Sequence, residues 1–261
     1  MFVDSHCHLN FPQYTDALDT IRAEMKDADV DRALCISTTL EEFPQVHALA
    51  MSYDNFWATV GVHPDNEGVQ EPTLEDLVSR AALPRVVGIG ETGLDYYRLG
   101  ERSVADMAWQ RERFRVHIRA ARQTGLPLVI HTRMASEDTL AILKEEGQGE
   151  VRGVFHCFTE TEAVARAALD LGFMISFSGI LTFKNAVELR DVARFVPIER
   201  CLIETDSPYL APAPHRGKTN SPAYVSFVAR QLAELKGMQI SDVGRITSAN
   251  FEELFSLVCA H

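Results

Sequence analysis

Eight short apolar runs, rich in β-branched residues, recur along the chain, and each is followed by a stretch with helical spacing. No other feature of the sequence constrains the fold as strongly. The runs are Phe2–Asp4, Ala33–Thr38, Phe56–Val62, Arg85–Gly90, Leu128–His131, Val151–His156, Phe173–Phe177 and Cys201–Thr205. Several are apolar without alternation, such as Leu128-Val129-Ile130, which is how strands buried on both faces of a parallel sheet read. Helical patterns fall near residues 17–28, 41–51, 73–82, 104–123, 136–146, 160–171, 185–195, 222–236 and 241–258. The longest of them stops at Gly125, followed by Pro127. Eight strand–helix units predict an α/β protein folded as a (β/α)8 TIM barrel, with an open doubly wound sheet as the alternative. A length of 261 residues suits one barrel. With no internal repeat or linker, residues 1–261 are expected to form a single domain.

In such barrels the chemistry sits at the C-terminal ends of the strands. Strand one ends in Asp4-Ser5-His6-Cys7-His8, and a period of two puts Asp4, His6 and His8 on one face. A His-x-His pair can hold a divalent metal, although solvated or core histidines also occur in this pattern. Strand three ends in Gly61-Val62-His63-Pro64, where the proline keeps His63 extended. Strand four leads directly into Glu91, and a carboxylate after so apolar a run needs a partner or a metal. His131, His156 and Asp206 end strands five, six and eight. Each alone has an ordinary structural explanation, but a barrel brings all of them to one mouth. Four imidazoles (His6, His8, His131, His156) and two carboxylates (Glu91, Asp206) form a nitrogen and oxygen ligand set without thiolate, suited to zinc, manganese, nickel or magnesium. Six ligands exceed one zinc's usual complement, so two ions are expected, bridged by Glu91, which lies between the two groups in barrel order.

Composition removes other classes. The 37 acidic residues against 25 Lys and Arg give a net charge of −12, which argues against a polybasic nucleic-acid or membrane-surface role. No signal peptide is read at the N-terminus, and the most apolar stretch, 173–183, is too short and mixed to span a bilayer. The five cysteines (Cys7, Cys35, Cys157, Cys201, Cys259) include no Cys-x-x-Cys, so a disulfide framework is not expected. The expectation is a cytoplasmic monomer with no obligate protein partner.

The pieces SHCH, GVHP, GETGLDYY, HTR, HCF, SFSGILTF and ETDSPYLAP, in this order over almost the whole chain, resemble the TatD family of metal-dependent hydrolases within the amidohydrolase-like barrels. The likeness is to the branch that retains the N-terminal His-x-His. It implies a two-metal barrel hydrolysing phosphodiesters, a deoxyribonuclease acting from 3′ ends. By position it implies that His6, His8, Glu91 and Asp206 hold one ion. It implies that Glu91 bridges to a second ion, held also by His131 and His156, and that His63 contacts substrate.

On that reading the reaction runs through a metal-bound hydroxide, with two ions clamping the attacking and leaving oxygens. Asp206 accepts the water's proton. His63 contacts the scissile phosphate or protonates the leaving oxygen. Arg133, Lys184, Arg216 and Lys218 are candidate phosphate contacts. Asp4, Asp95 and Glu204 are candidates for orienting imidazoles. Tyr96, Tyr97, Phe158, Phe183 and Tyr209 are candidates for stacking on an unpaired base. DNA strand ends, single-stranded or frayed, are the expected substrate. Two alternatives stay open: a small-molecule amidohydrolase or lactonase on the same metals, and a non-catalytic metal-binding barrel.

Overall fold

In the computed structural model, which describes residues 1–257, the alternation folds into eight parallel strands hydrogen-bonded in sequence order. They are β1 (Phe2–Cys7), β2 (Val30–Cys35), β3 (Phe56–Val60), β4 (Val86–Asp95), β5 (Leu128–Arg133), β6 (Gly153–Phe155), β7 (Met174–Phe177) and β8 (Cys201–Ile203). The helices between and after them are α1 (Leu18–Asp27), α2 (Phe43–Ser52), α3 (Leu74–Ala81), α4 (Ala108–Thr124), α5 (Ser136–Gly147), α6 (Glu162–Asp170), α7 (Val187–Phe195), α8 (Val225–Lys236) and α9 (Ile240–Leu254). Val258, at the expected end of the last helix, and Cys259 lie outside the described residues. Among the described residues no helix is long and apolar enough to cross a membrane.

The ring closes between β1 and β8. Asp206 N–H donates to the His6 carbonyl (2.9 Å) and His8 N–H to the Ser207 carbonyl (2.9 Å). Asp4 completes the seam: its carboxylate accepts from Thr205 N (2.9 Å), Thr205 Oγ1 (2.5 Å) and His6 N (3.2 Å). Asp4 therefore orients backbone, not an imidazole ring, which corrects the expectation. Its donors come from Thr205, across the seam with β8, and from the His6 backbone.

One residue from nearly every strand fills the barrel interior: Val3, Leu34, Val87, Val129, Val154, Met174 and Leu202 pack together. Phe251 and Leu254 of α9, and Phe255 just after it, join this cluster and plug the end away from the mouth. The larger core lies between strands and helices.

Two boundaries differ from the sequence reading in ways that matter. β1 reaches Cys7, and β4 runs ten residues to Asp95, so Glu91 lies inside a strand. Thr92–Asp95 pair with Ile130–Arg133 after a register shift, which extends the ladder past Gly90. Gly93 permits this approach: its φ is +136°, and a Cβ there would lie 2.0 Å from the His131 carbonyl oxygen. The long helix expected from 104 opens with a 3-10 turn, Val104–Met107, before α4 begins.

Candidate active site

Glu91 is 2% exposed and stands at the centre of the mouth. Its two oxygens face different partners. Oε2 lies 3.2 Å from His6 Nε2 and 3.9 Å from His8 Nε2. Oε1 lies 2.8 Å from His156 Nε2, 3.2 Å from His131 Nδ1 and 3.2 Å from His63 Nε2. Asp206 joins the first group, with Oδ1 3.4 Å from His8 Nε2 and 3.7 Å from His6 Nε2. Its backbone φ of +57° turns the chain sharply after β8. The His6 ring stacks on that of His156, centroids 3.9 Å apart, and so joins the two groups. All six expected metal ligands thus meet at one place, and His63 stands beside them.

Burial pushes the Glu91 carboxyl up, but the charges of His156, His63 and His6 outweigh it and hold the group well below the ordinary glutamate range. Asp206 behaves alike: burial raises it, while the bond from His8 and the charges of His6 and His8 bring it below the usual aspartate value. Both side chains are therefore anionic at neutral pH.

The second ring nitrogen tells the imidazoles apart. His131 Nε2 meets Asp95 Oδ2 at 2.9 Å, and His156 Nδ1 meets Glu204 Oε1 at 3.2 Å. A carboxylate accepts, so each ring places a proton there, and the nitrogen facing Glu91 is the one that would bind a cation. His63 is opposite: its Nδ1 accepts the Asp65 backbone N–H (3.0 Å), so a neutral His63 carries its proton on Nε2, facing the mouth. Among the described residues, Nδ1 of His6 and of His8 has no hydrogen-bond partner.

These residues fit divalent cations. The buried Nε2 of His156 has no properly directed hydrogen bond despite its nearness to Glu91, so that nitrogen is left for a cation to take. The ligand atoms of His6, His8 and Glu91, of His6, His156 and Asp206, and of His63, Glu91 and His131 each fall within 4.8 Å of one another. Cys157 adds no thiolate: burial, then Asp206 and Glu204, push its thiol well above the ordinary range, and it pairs with Ser178 Oγ at 3.2 Å.

The mouth opens into a cavity of about 620 Å³. A second hollow of about 340 Å³, lined by Met1, Arg22 and Asn55, lies at the N-terminal end of the strands and contains none of these groups. Of the candidate phosphate contacts, Arg133 lines the cavity. Lys184, Arg216 and Lys218 are exposed and are not among its lining residues, and the Arg216 guanidinium lies 3.5 Å from the centroid of the Phe183 ring. Of the candidate stacking residues, Phe158 and Tyr96 are buried, with Tyr96 Oη bonded to Asp138 Oδ2 at 2.6 Å. Tyr97 lies under Arg133, and Tyr209 lines the cavity.

Several residues that the sequence reading passed over hold the site. Asn220 is buried, and its Nδ2 donates to the carbonyls of Thr205 (2.9 Å) and Tyr209 (2.6 Å), clamping both sides of Asp206. On α4, Gln110 bonds Pro64 O (3.0 Å), Arg113 bonds His63 O (2.8 Å), and His117 Nε2 accepts from Val62 N (3.0 Å). The available signal was three polar residues at helical spacing beside the apolar Phe114 and Ile118. Phe11 and Arg98 also line the cavity.

Comparison with known proteins bears on what this arrangement does. A family model described as TatD related DNase matches residues 3–256. The chain is 47% identical over 259 residues to the uncharacterized metal-dependent hydrolase YcfH of Escherichia coli, covering 98% of this chain and 96% of that protein. It is 32% identical over 260 residues to the 3'-5' ssDNA/RNA exonuclease TatD of Shigella flexneri, covering 97% and 98%. The solved structure of the Escherichia coli TatD homologue YjjV matches with a TM-score of 0.90 at 26% identity, over 98% of each chain.

Proposed function

The chain belongs to the TatD family of metal-dependent hydrolases, and from that premise we propose that it is a phosphodiesterase acting on the 3′ ends of single-stranded or frayed DNA with two divalent ions. The observation that carries this reading is the division of Glu91, one oxygen toward His6 and His8, which Asp206 also approaches, and the other toward His131, His156 and His63. Those two sets would hold the ions. When bound, the ions would lower the pKa of water and offset the charge that gathers on phosphoryl oxygens.

The chain's own residues then take distinct roles. Asp206, anionic at the cavity wall, accepts a proton from the attacking water. His63, with its proton on Nε2, donates to the leaving oxygen; the Asp65 N–H on Nδ1 enforces that tautomer. Arg133 meets phosphate oxygens. Asp95 and Glu204 hold the rings of His131 and His156 in the ligand tautomer. The 32% identity to a protein named as a 3'-5' exonuclease supports nucleic acid as substrate.

The test is hydrolysis of a 3′-labelled single strand. Excess chelator is expected to abolish release of mononucleotide, and Mg²⁺ or Mn²⁺ to restore it. Glu91→Gln is expected to lower the rate by about 10³-fold or more, since it weakens both ligand sets at once. Full activity in chelator, or turnover of amides and lactones in preference to the oligonucleotide, overturns the reading.

A further inference from the structure

We propose that the cavity is polarised across the barrel: the terminal nucleoside seats its base against Tyr209 and Phe11, and the upstream phosphates lie along Arg133 and Arg98. This rests on the nuclease reading above and adds the direction in which the strand lies.

The geometry comes from strand order. In a closed ring of eight, β1 and β8 are neighbours, and β4 and β5 lie diametrically opposite them. The loops after β1 and β8 supply an aromatic wall. The Phe11 ring stacks on His8, centroids 4.9 Å apart and planes at 19°. Tyr209 meets Phe11 edge-on at 6.2 Å and 79°. Tyr209 is 52% exposed, yet its backbone is fixed by the bond from its N–H to Asp206 O (2.9 Å) and by Asn220. An anchored aromatic ring left open to a cavity offers a flat π face at little ordering cost.

The wall after β4 and β5 carries two arginines, and the Asp95 carboxylate beside them is taken up by His131 and the Tyr97 N–H. The Arg133 guanidinium lies over the Tyr97 ring, 3.5 Å from its centroid, which holds it flat. Among the described residues Arg133 makes no ion pair, and Arg98 has only Asp65 at 3.8 Å. Planar arginines with open N–H edges suit phosphate oxygens.

The proton donors and acceptors align with this axis. Asp206 stands on the aromatic side and His63 on the other. In-line displacement then runs from the aromatic wall toward the arginine wall. The oxygen of water bonds to phosphorus, and Asp206 takes the water's proton. The bond from phosphorus to the upstream 3′ oxygen breaks, and His63 protonates that oxygen. The products are a 5′-mononucleotide beside Tyr209 and a shortened strand with a 3′ hydroxyl beside Arg133. The departing unit has one base and no further phosphodiester, whereas the retained strand carries all the remaining phosphates. The two walls match that division.

The experiment compares single-stranded oligonucleotides that end at the 3′ side in a natural nucleotide or in an abasic tetrahydrofuran residue, with Mn²⁺ present. The wild-type chain is expected to show a KM about 5- to 100-fold lower for the natural end. Tyr209→Leu is expected to raise KM for the natural end and leave that for the abasic end unchanged, while Tyr209→Phe keeps wild-type values. The abasic substrate thus reports that each variant is folded and active. Arg133→Gln is expected to raise KM for both oligonucleotides and not for a dinucleotide, which has no upstream phosphate. Equal KM values for the two ends in the wild type, or equal losses on both in Tyr209→Leu, overturn the proposal while leaving the nuclease reading intact. No cleavage of the natural oligonucleotide overturns that reading itself, and the proposal with it.

Discussion

His63 and His131 lie ring to ring with centroids 4.5 Å apart, and both face the same oxygen of Glu91. They differ in the nitrogen that faces Glu91 and in what holds the far one. A backbone N–H on His63 leaves a donor facing the cavity, and a carboxylate on His131 leaves an acceptor. One imidazole is suited to give a proton and the other to bind a cation, although both arrive from strand ends that read alike in sequence. This distinction gives a direct prediction. Asp95→Asn removes the anionic acceptor behind His131. It should weaken metal binding by the His131 and His156 group about 10- to 100-fold, and leave binding by the His6, His8 and Asp206 group unchanged. A two-site metal titration reads this, and equal weakening of both sites would count against the division of ligands.

At the scale of elements, α4 does more than cover β4. Gln110, Arg113 and His117 follow one another along its buried face and hold the segment from Val62 to Pro64. His117 Nδ1 meets Arg113 O at 2.8 Å while Nε2 accepts from Val62, so the ring must stay neutral. Burial lowers its pKa from 6.5 to about 4. A depressed folded pKa means that unfolding takes up a proton between those values. The contribution is therefore complete above pH 6.5 and is lost as pH falls toward 4. Lost in full, this contribution is about 3 kcal/mol. Urea unfolding at pH 7, 5.5 and 4.5 should show a falling midpoint, and His117→Gln should be less stable at pH 7 but less sensitive to pH over this window. Parallel pH profiles for the two chains would show that His117 carries none of the dependence.

For the whole molecule, the net charge of −12 and the nucleic-acid substrate we propose look opposed. The structure narrows the conflict by showing how few cations meet the cavity. Arg98 and Arg133 line it, while Lys184, Arg216 and Lys218 do not. Arg115, Arg119 and Arg122 on α4 are spent on Glu145, Glu146 and Glu150 at the outer surface. Capture of a strand end through about two phosphates predicts a shallow salt dependence. The logarithm of 1/KM for a single strand should fall against that of salt concentration with a slope of about −1.4. A slope steeper than about −4 would mean that a longer cationic track exists and that this picture of the mouth is wrong.

The sequence by itself determined the barrel, through eight apolar runs of strand length, and determined which residue types end the strands. Those signals are local: side-chain period, β-branching and turn residues act over a few positions. It also brought His6, His8, His63, Glu91, His131, His156 and Asp206 into view, because a polar residue at the end of a buried run is conspicuous. The tertiary structure alone decided which atoms of these residues face one another. The two faces of Glu91, the partner behind each imidazole, the clamp of Asn220 on the Asp206 turn, and the displacement of Arg216 and Lys218 from the cavity depend on residues far apart in the chain. Hydrogen bonds and ion pairs act over about 3–4 Å, so the role of a ring nitrogen is set by whichever backbone or carboxylate the fold places beside it.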